Sequence, residues 1–301
     1  MNNTFYSHGK LLLTGEYVVL DGAKALAIPT KYGQRLTILP TTKGDLLWNS
    51  FDVHEHCWFG AGFYRDNFEI EGNNNPRVAH TLQQILCEAK RLNPNFFTQT
   101  DGIHAITELE FPQDWGLGSS STLINNIAQW ANVDAYALLK NSFGGSGYDI
   151  AAAQQDGPFL YQLKDGQPKV QQAHLQWDFK DALFFVHLNK KQDSKDGIAH
   201  YRTASVSEKD IQEISDISNE LVFCPSLSDF EAILQRHEQL ISDLINFPTV
   251  KEKRFKDFKG VVKSLGAWGG DFVLATGDKT NQDYFRRKGY STIIPFNDMI
   301  L

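Results

Sequence analysis

Cysteine is scarce in this chain: three in 301 residues, at positions 57, 87 and 224. An odd, widely spaced set is no disulfide framework and suits a reducing compartment. Runs of Lys and Arg are missing as well. The 29 basic residues are outnumbered by 36 acidic ones, for a formal net charge of −7. Binding to phosphate backbones needs clustered cations, so nucleic acid is not an expected partner. No window approaches the ~18 apolar residues of a membrane-spanning helix. The opening residues, Met1 to Lys10, lack the basic stretch and apolar segment of a signal peptide. A soluble cytoplasmic protein is expected. No internal repeat or low-complexity tract breaks the chain.

What is present is enough for a sizeable core: 42% hydrophobic and 22% charged residues. At ~150 residues per domain, the length suggests two domains or one large one. Lys10–Thr14 and Gly15–Leu20 read as a strand, loop and strand, closed by a turn at Asp21-Gly22. Strands are expected at Gln34–Leu39, Asp45–Trp48 and Gly102–Phe111, with a hairpin within Phe51–Ile70. Pro76–Leu92 has a helical apolar stripe. Helices are expected after Thr122, at Asp134–Lys140 and from Asp149. Beyond Pro158 come a strand at Phe159–Leu163, a turn at Asp165-Gly166 and a buried strand at Ala182–Leu188. Helices follow at Ser207–Val222, Ser228–Phe247 and Val250–Ser264. The strand Phe272–Thr276, a helix at Gln282–Lys288 and a strand at Ser291–Pro295 complete an α+β pattern. His54 and His56 share a strand face, but no second pair of ligands matches them, and they read as exposed.

The loop Gly116-Leu117-Gly118-Ser119-Ser120-Ser121 lies between a strand and a helix. Glycines let a backbone approach phosphate, and free N–H groups at a helix start point at it. The loop lacks the Gly-Lys-Ser/Thr ending of the Walker pattern and the third glycine of the dinucleotide fingerprint. By itself it reads equally well as a flexible loop with a serine cap.

Three glycine clusters, at 116–118, 144–147 and 266–270, join Ser7-His8-Gly9-Lys10 in an order that resembles the GHMP kinase superfamily. His8–Leu20 resembles its first motif, Pro112–Thr122 the second and Lys263–Asp271 the third. Gly145-Ser146-Gly147-Tyr148-Asp149-Ile150-Ala151 is similar to the segment carrying the catalytic aspartate in phosphomevalonate kinases. The resemblance implies a fold in two parts. Residues 1–158 would form a ribosomal protein S5 domain 2-like half with a left-handed βαβ unit. Residues 159–301 would form a ferredoxin-like half, with the ligands meeting in the cleft.

The resemblance also implies roles. ATP would be bound by Gly116, Leu117, Gly118, Ser119, Ser120, Ser121, Gly266 and Gly269, with Mg²⁺ at Ser120 and Glu16. Asp149 and Lys10 would be catalytic. Lys190, Lys191, Ser194 and Gly147 would contact a small-molecule substrate, phosphomevalonate or mevalonate. Read without the resemblance, Asp149 is a helix cap, Lys10 a surface lysine and Glu16 a solvated strand residue. The chain departs from the family at Trp268, which replaces a glycine, and at Leu265, where a small residue is common. Tyr136–Lys140 also lacks the second carboxylate of mevalonate kinases. The indole of Trp268 is expected to narrow the loop or stack near the nucleotide. A non-catalytic sensor and a related decarboxylase are the rival readings. Partners are otherwise none, with a homodimer left open.

Overall fold

Alternate residues of Leu46–Phe51 and Cys57–Phe63 are buried, so each forms a strand with one face on a core. In chain order the first half contains β1 (Thr4–Leu12), β2 (Ala25–Thr41), β3 (Leu46–Phe51), β4 (Cys57–Phe63), β5 (Ile70–Asn73), α1 (Pro76–Leu92), β6 (Gly102–Leu109), α2 (Ser119–Ala131), α3 (Ala135–Ser142) and α4 (Tyr148–Gln154). The second half contains β7 (Phe159–Lys164), β8 (Gln167–Gln172), β9 (Leu183–His187), α5 (Ser194–Tyr201), α6 (Glu208–Val222), α7 (Leu227–Ile245), α8 (Val250–Arg254), β10 (Val262–Ser264), β11 (Phe272–Thr276), α9 (Lys279–Arg287), β12 (Ile293–Pro295) and α10 (Phe296–Met299). This computed structural model describes residues 3–43, 45–98, 101–190, 194–266, 268 and 270–301, with backbone alone at 194–196. Among these no helix is long and apolar enough to cross a membrane.

The chain divides into two compact units. The first takes residues up to Gly9, Tyr32–Gln113 and Leu117–Gln154. The second takes Lys10–Lys31, Asp114–Gly116 and Gln155–Leu301. The last crossing lies at Gln154, four residues before the border of 158 read from sequence, and two early segments go with the second unit.

In the first unit the strand order is β5-β4-β3-β6-β2. The second part of β2, Gln34–Thr41, runs antiparallel to β6. β3 and β6 are parallel, and a parallel pair needs a long crossover, supplied here by β4, β5 and α1. α1 starts where the Asn75 side chain accepts the Val78 N–H and Pro76 opens the helix. Its stripe of Ala79, Leu82, Ile85, Leu86 and Ala89 packs into a core with Trp48, Phe59, Phe63, Ile124 and Leu138. Buried polar contacts set α2 on the strands. Ser7 donates to Asn126 at 2.7 Å and accepts from Asn125 at 2.8 Å, and Thr122 donates to Gln34 at 2.7 Å.

In the second unit β7 and β8 form a hairpin through Asp165 and Gly166, both at positive φ as a tight two-residue turn requires. The first residues of β2, Ala25–Ala27, pair with β7. A separate antiparallel sheet has the order β10-β11-β9-β12, the arrangement expected of a ferredoxin-like half. Phe184, Val186, Phe255, Phe258, Val273 and Phe285 form a core on it.

Four local expectations are corrected. Gly15–Leu20 is not a strand: Gly15 and Tyr17 take positive φ and lead into a 3₁₀ turn at Val18–Asp21. The helix from Val250 stops at Arg254 and is followed by β10 rather than running to Ser264. No helix is expected between Leu188 and Ser207, yet α5 begins at Ser194. His54 and His56 lie not on a strand but in a turn, where the Asp52 carboxylate accepts both their N–H groups at 2.8 and 3.0 Å.

Candidate functional site

In the first unit, Gly118 takes a left-handed φ of 88° and ends the loop directly at Ser119, the first residue of α2. No side chain caps this helix start, and its first turn holds no acidic residue. The first-turn N–H groups therefore present a partial positive charge to any anion placed there. The three serines differ. Ser121 is buried, and its hydroxyl donates to the Gly118 carbonyl at 2.8 Å. Ser120 is exposed and Ser119 half-buried, and among the described residues no group bonds either hydroxyl. Leu117 is fully buried and offers only backbone. If the helix start holds the phosphates of ATP, as the family resemblance implies, Ser120→Ala should raise the KM for ATP about tenfold, the scale of one hydrogen bond to a charged group, at unchanged thermal midpoint. Unchanged ATP kinetics would remove Ser120 from the site.

Asp149 lies in the first turn of α4, after Gly144, Gly145 and Gly147, all at positive φ. The Gly147 carbonyl accepts the N–H groups of Ile150 and Ala151. The Asp149 carboxylate accepts the adjacent Ile150 N–H at 3.2 Å. A cap reaches two or three residues on from outside the helix, so Asp149 is not placed as one. Gln154 ties α4 to α2 by donating to Asn125 at 2.8 Å. Burial, with the charges of Asp134 and Asp149, pushes the Tyr136 phenol up to about 12.

The second unit contributes Lys10 and Gly116. Asp114–Gly116 is anchored there: His187 Nε2 lies 3.1 Å from the Asp114 carbonyl, and Trp115 meets Phe272 edge-on at 5.3 Å. Lys10 Nζ donates to the Gly116 carbonyl at 2.8 Å. A Cβ on Gly116 would stand 2.3 Å from the Asp271 carboxyl carbon, so only glycine fits beside that side chain. Asp271, itself at positive φ, accepts the Leu188 N–H with its carbonyl and donates its own N–H to the Lys190 carbonyl at 2.7 Å. Lys10, Gly116, Asp271 and Lys190 are thus brought together. Asp271 carried no assigned role in the sequence, although it ends the third motif string.

Glu16, expected on Mg²⁺, is instead 1% exposed and held by Lys263 Nζ at 2.5 Å. Lys263 also lies 3.2 Å from Glu238, whose other oxygen accepts from Ser264. The Gly15 N–H donates to His237 Nε2 at 3.0 Å, so that nitrogen is an acceptor and the ring is neutral. Burial pushes Glu16 up to about 7 against the pull of Lys263, raises Glu238 and drives His237 down. Glu16 is one half of an internal ion pair.

Trp268 does not reach out toward a ligand. It is 6% exposed and shares a cluster with Tyr17, Val18, Tyr201, Ile241 and Ile245. Leu265 is buried, and Gly266, at φ 64°, faces open space. Gly147 is buried and Lys190 exposed. Lys191 and Gly269 lie outside the described residues, as does the side chain of Ser194.

Neither a family model nor a curated protein matches the chain. Solved structures do. The mevalonate kinase of Methanococcus jannaschii superposes with a TM-score of 0.73 at 16% identity, over 97% of this chain and 96% of that one. The phosphomevalonate kinase of Streptococcus pneumoniae, in complex with phosphomevalonate and AMPPNP, gives 0.71 at 15%, over 96% and 98%. A D-glycero-D-manno-heptose 1-phosphate kinase from Bacteriodes thetaiotaomicron gives 0.66 at 15%, over 97% and 94%. The chain has the two-part α+β fold of GHMP kinases along its whole length.

Proposed function

We propose that this chain is an ATP-dependent kinase for a small metabolite, with phosphomevalonate as the leading acceptor and mevalonate next. The observation that carries the reading is the start of α2: a left-handed glycine, no side-chain cap and, at Ser119 and Ser120, two hydroxyls that no group bonds among the described residues. Such a site fits nucleotide phosphates, with Gly118, Ser119 and Ser120 in contact. Ser121 holds the loop rather than the ligand. Mg²⁺, when bound with ATP, neutralises charge on the phosphates; Ser120 would hold it, and Glu16 would not.

Phosphoryl transfer rests on positioning and electrostatic stabilisation. Asp149 would orient the acceptor oxygen and take its proton. Lys10, beside the Gly116 carbonyl, would supply positive charge there. Lys190 is exposed and its backbone is fixed by Asp271, so its ammonium is available to a phosphate on the acceptor.

The test is a panel of mevalonate, phosphomevalonate, galactose and a sugar phosphate, with MgATP and the purified protein. Phosphorylation of none of them would remove the proposed acceptors. The double change Lys190→Ala and Lys191→Ala should cost phosphomevalonate about ten- to a hundredfold more than mevalonate, the scale of a charge-assisted contact. Equal losses for both would move mevalonate or another alcohol into first place.

A further inference from the structure

Tyr17 holds a φ of 63°, a left-handed conformation that is strained for an aromatic residue. Its neighbours fix it there. Gly15 is bonded to His237, Glu16 to Lys263, and the turn at Val18–Asp21 follows at once. The Tyr17 ring stacks on Tyr201, with centroids 5.4 Å apart and an interplanar angle of 17°. Tyr201 is the last residue of α5, and its hydroxyl donates to Asp21. Arg202 reaches the other oxygen of Asp21 at 2.9 Å, and His200 Nε2 lies 2.8 Å from the Ile245 carbonyl.

The Tyr17 ring also fits tightly against Gly197, in the middle of α5. A Cβ there would stand 2.6 Å from the Tyr17 hydroxyl oxygen and 3.1 and 3.2 Å from Cε1 and Cζ of the ring. Glycine in a helix interior is ordinarily a weakness that alanine repairs. Here its missing side chain is what lets the Tyr17 ring lie against the helix. α5 follows closely on Lys190, whose carbonyl is pinned by Asp271. The Lys190 backbone is thus fixed by Asp271, and α5 begins four residues on.

We propose that the fit of Tyr17 against Gly197 sets the position of α5 and, through it, the affinity for the acceptor. Tyr17 is then a positioning residue of the acceptor site. This rests on the kinase reading above. It places a specificity element in the first glycine motif, in the side chain that follows Glu16.

The test is a cycle of Gly197→Ala, Tyr17→Phe and the double variant. Gly197→Ala should raise the acceptor KM about tenfold or more and leave the KM for ATP within about twofold, since misplacement of this kind acts on one ligand. Tyr17→Phe removes the atom nearest the new methyl group, so the double variant should return to within about threefold of Tyr17→Phe alone. Hydrogen exchange across Ser194–Tyr201 should quicken in Gly197→Ala and slow again in the double variant. An unchanged acceptor KM in Gly197→Ala, or a double variant no better than the single one, would overturn the proposal. The exchange pattern needs no acceptor. If the unchanged protein phosphorylates nothing, the kinase reading fails while exchange still decides whether Tyr17 and Gly197 position α5.

Discussion

Asp149→Asn is expected to lower kcat about 10²-fold or more, the usual scale of general-base catalysis, with the KM for ATP and the thermal midpoint nearly unchanged. The substitution keeps the shape and removes the charge. A neutral amide can still accept the Ile150 N–H that the carboxylate accepts now, so the local structure should survive. It cannot take a proton from an acceptor oxygen. Two alternatives give different results. If Asp149 served as a helix cap, Asn would replace it almost fully, because the two residues cap about equally well. If the protein only bound ligands, no turnover would exist to lose. Turnover by the Asn variant close to that of the unchanged protein, at equal stability, would reduce Asp149 to a structural residue.

Lys263→Met should destabilise the protein by about 3–5 kcal/mol, the cost of removing one partner from a buried ion pair. Lys263 and Glu16 are 0% and 1% exposed, and Glu238 is nearly as deep. Without the ammonium, two carboxylates remain in the interior with no cation beside them. Urea denaturation checks this, and a loss under 1 kcal/mol would mean that water reaches the cluster. The pH dependence has a sign. Glu16 is raised from 4.5 to about 7, so the folded chain holds a proton that the unfolded chain releases. Its contribution is complete below pH 4.5 and is lost as pH rises through 7. His237 works in the other direction. Its lowered pKa gives stability that is present above 6.5 and lost as pH falls. The slopes of Glu16 and of Glu238, which is raised as well, oppose that of His237 below pH 6.5, and stability should fall between about pH 6.5 and 7.5. Glu16→Gln should make that fall shallower, whatever it does to the absolute level.

Elements whose signals are local were legible in the sequence. Pro76–Leu92 carries a cap residue, a proline at its first position and a complete apolar stripe, and α1 has those same bounds. The continuous apolar run at Ala182–Leu188 became the central strand β9, covered on both sides. The glycine–serine loop did precede a helix. Tyr17-Val18-Val19-Leu20 misled because β-branched residues suggest a strand, whereas the positive φ of Gly15 and Tyr17 turns the chain before one can form. Glu16 misled for a different reason. A glutamate in a motif reads as exposed or metal-bound, and its partner Lys263 is 247 residues away. Trp268 looked like a ligand contact because it replaced a glycine, but its cluster includes Tyr17 and Val18, about 250 residues earlier. Pairings of this kind have no periodic signature.

The second unit draws on both the earliest and the latest parts of the chain, and this bears on its synthesis. The first unit has all its residues once position 154 has been made. The second cannot close until much later. The strand Ala25–Ala27 waits for β7, and Glu16 waits for Lys263. At ~5–20 residues per second, the 247 residues between Glu16 and Lys263 take roughly 12–50 s to translate. Glu16 remains solvated and charged throughout that interval, and its burial is tied to the arrival of the lysine. A fragment starting at residue 155 would lack both Glu16 and the strand that covers β7, leaving a buried ammonium short of a partner and an open strand edge. Ala25–Ala27 must therefore stay out of other sheets until β7 emerges at mid-chain, and Glu16 must stay out of any interior until the last quarter of the sequence does.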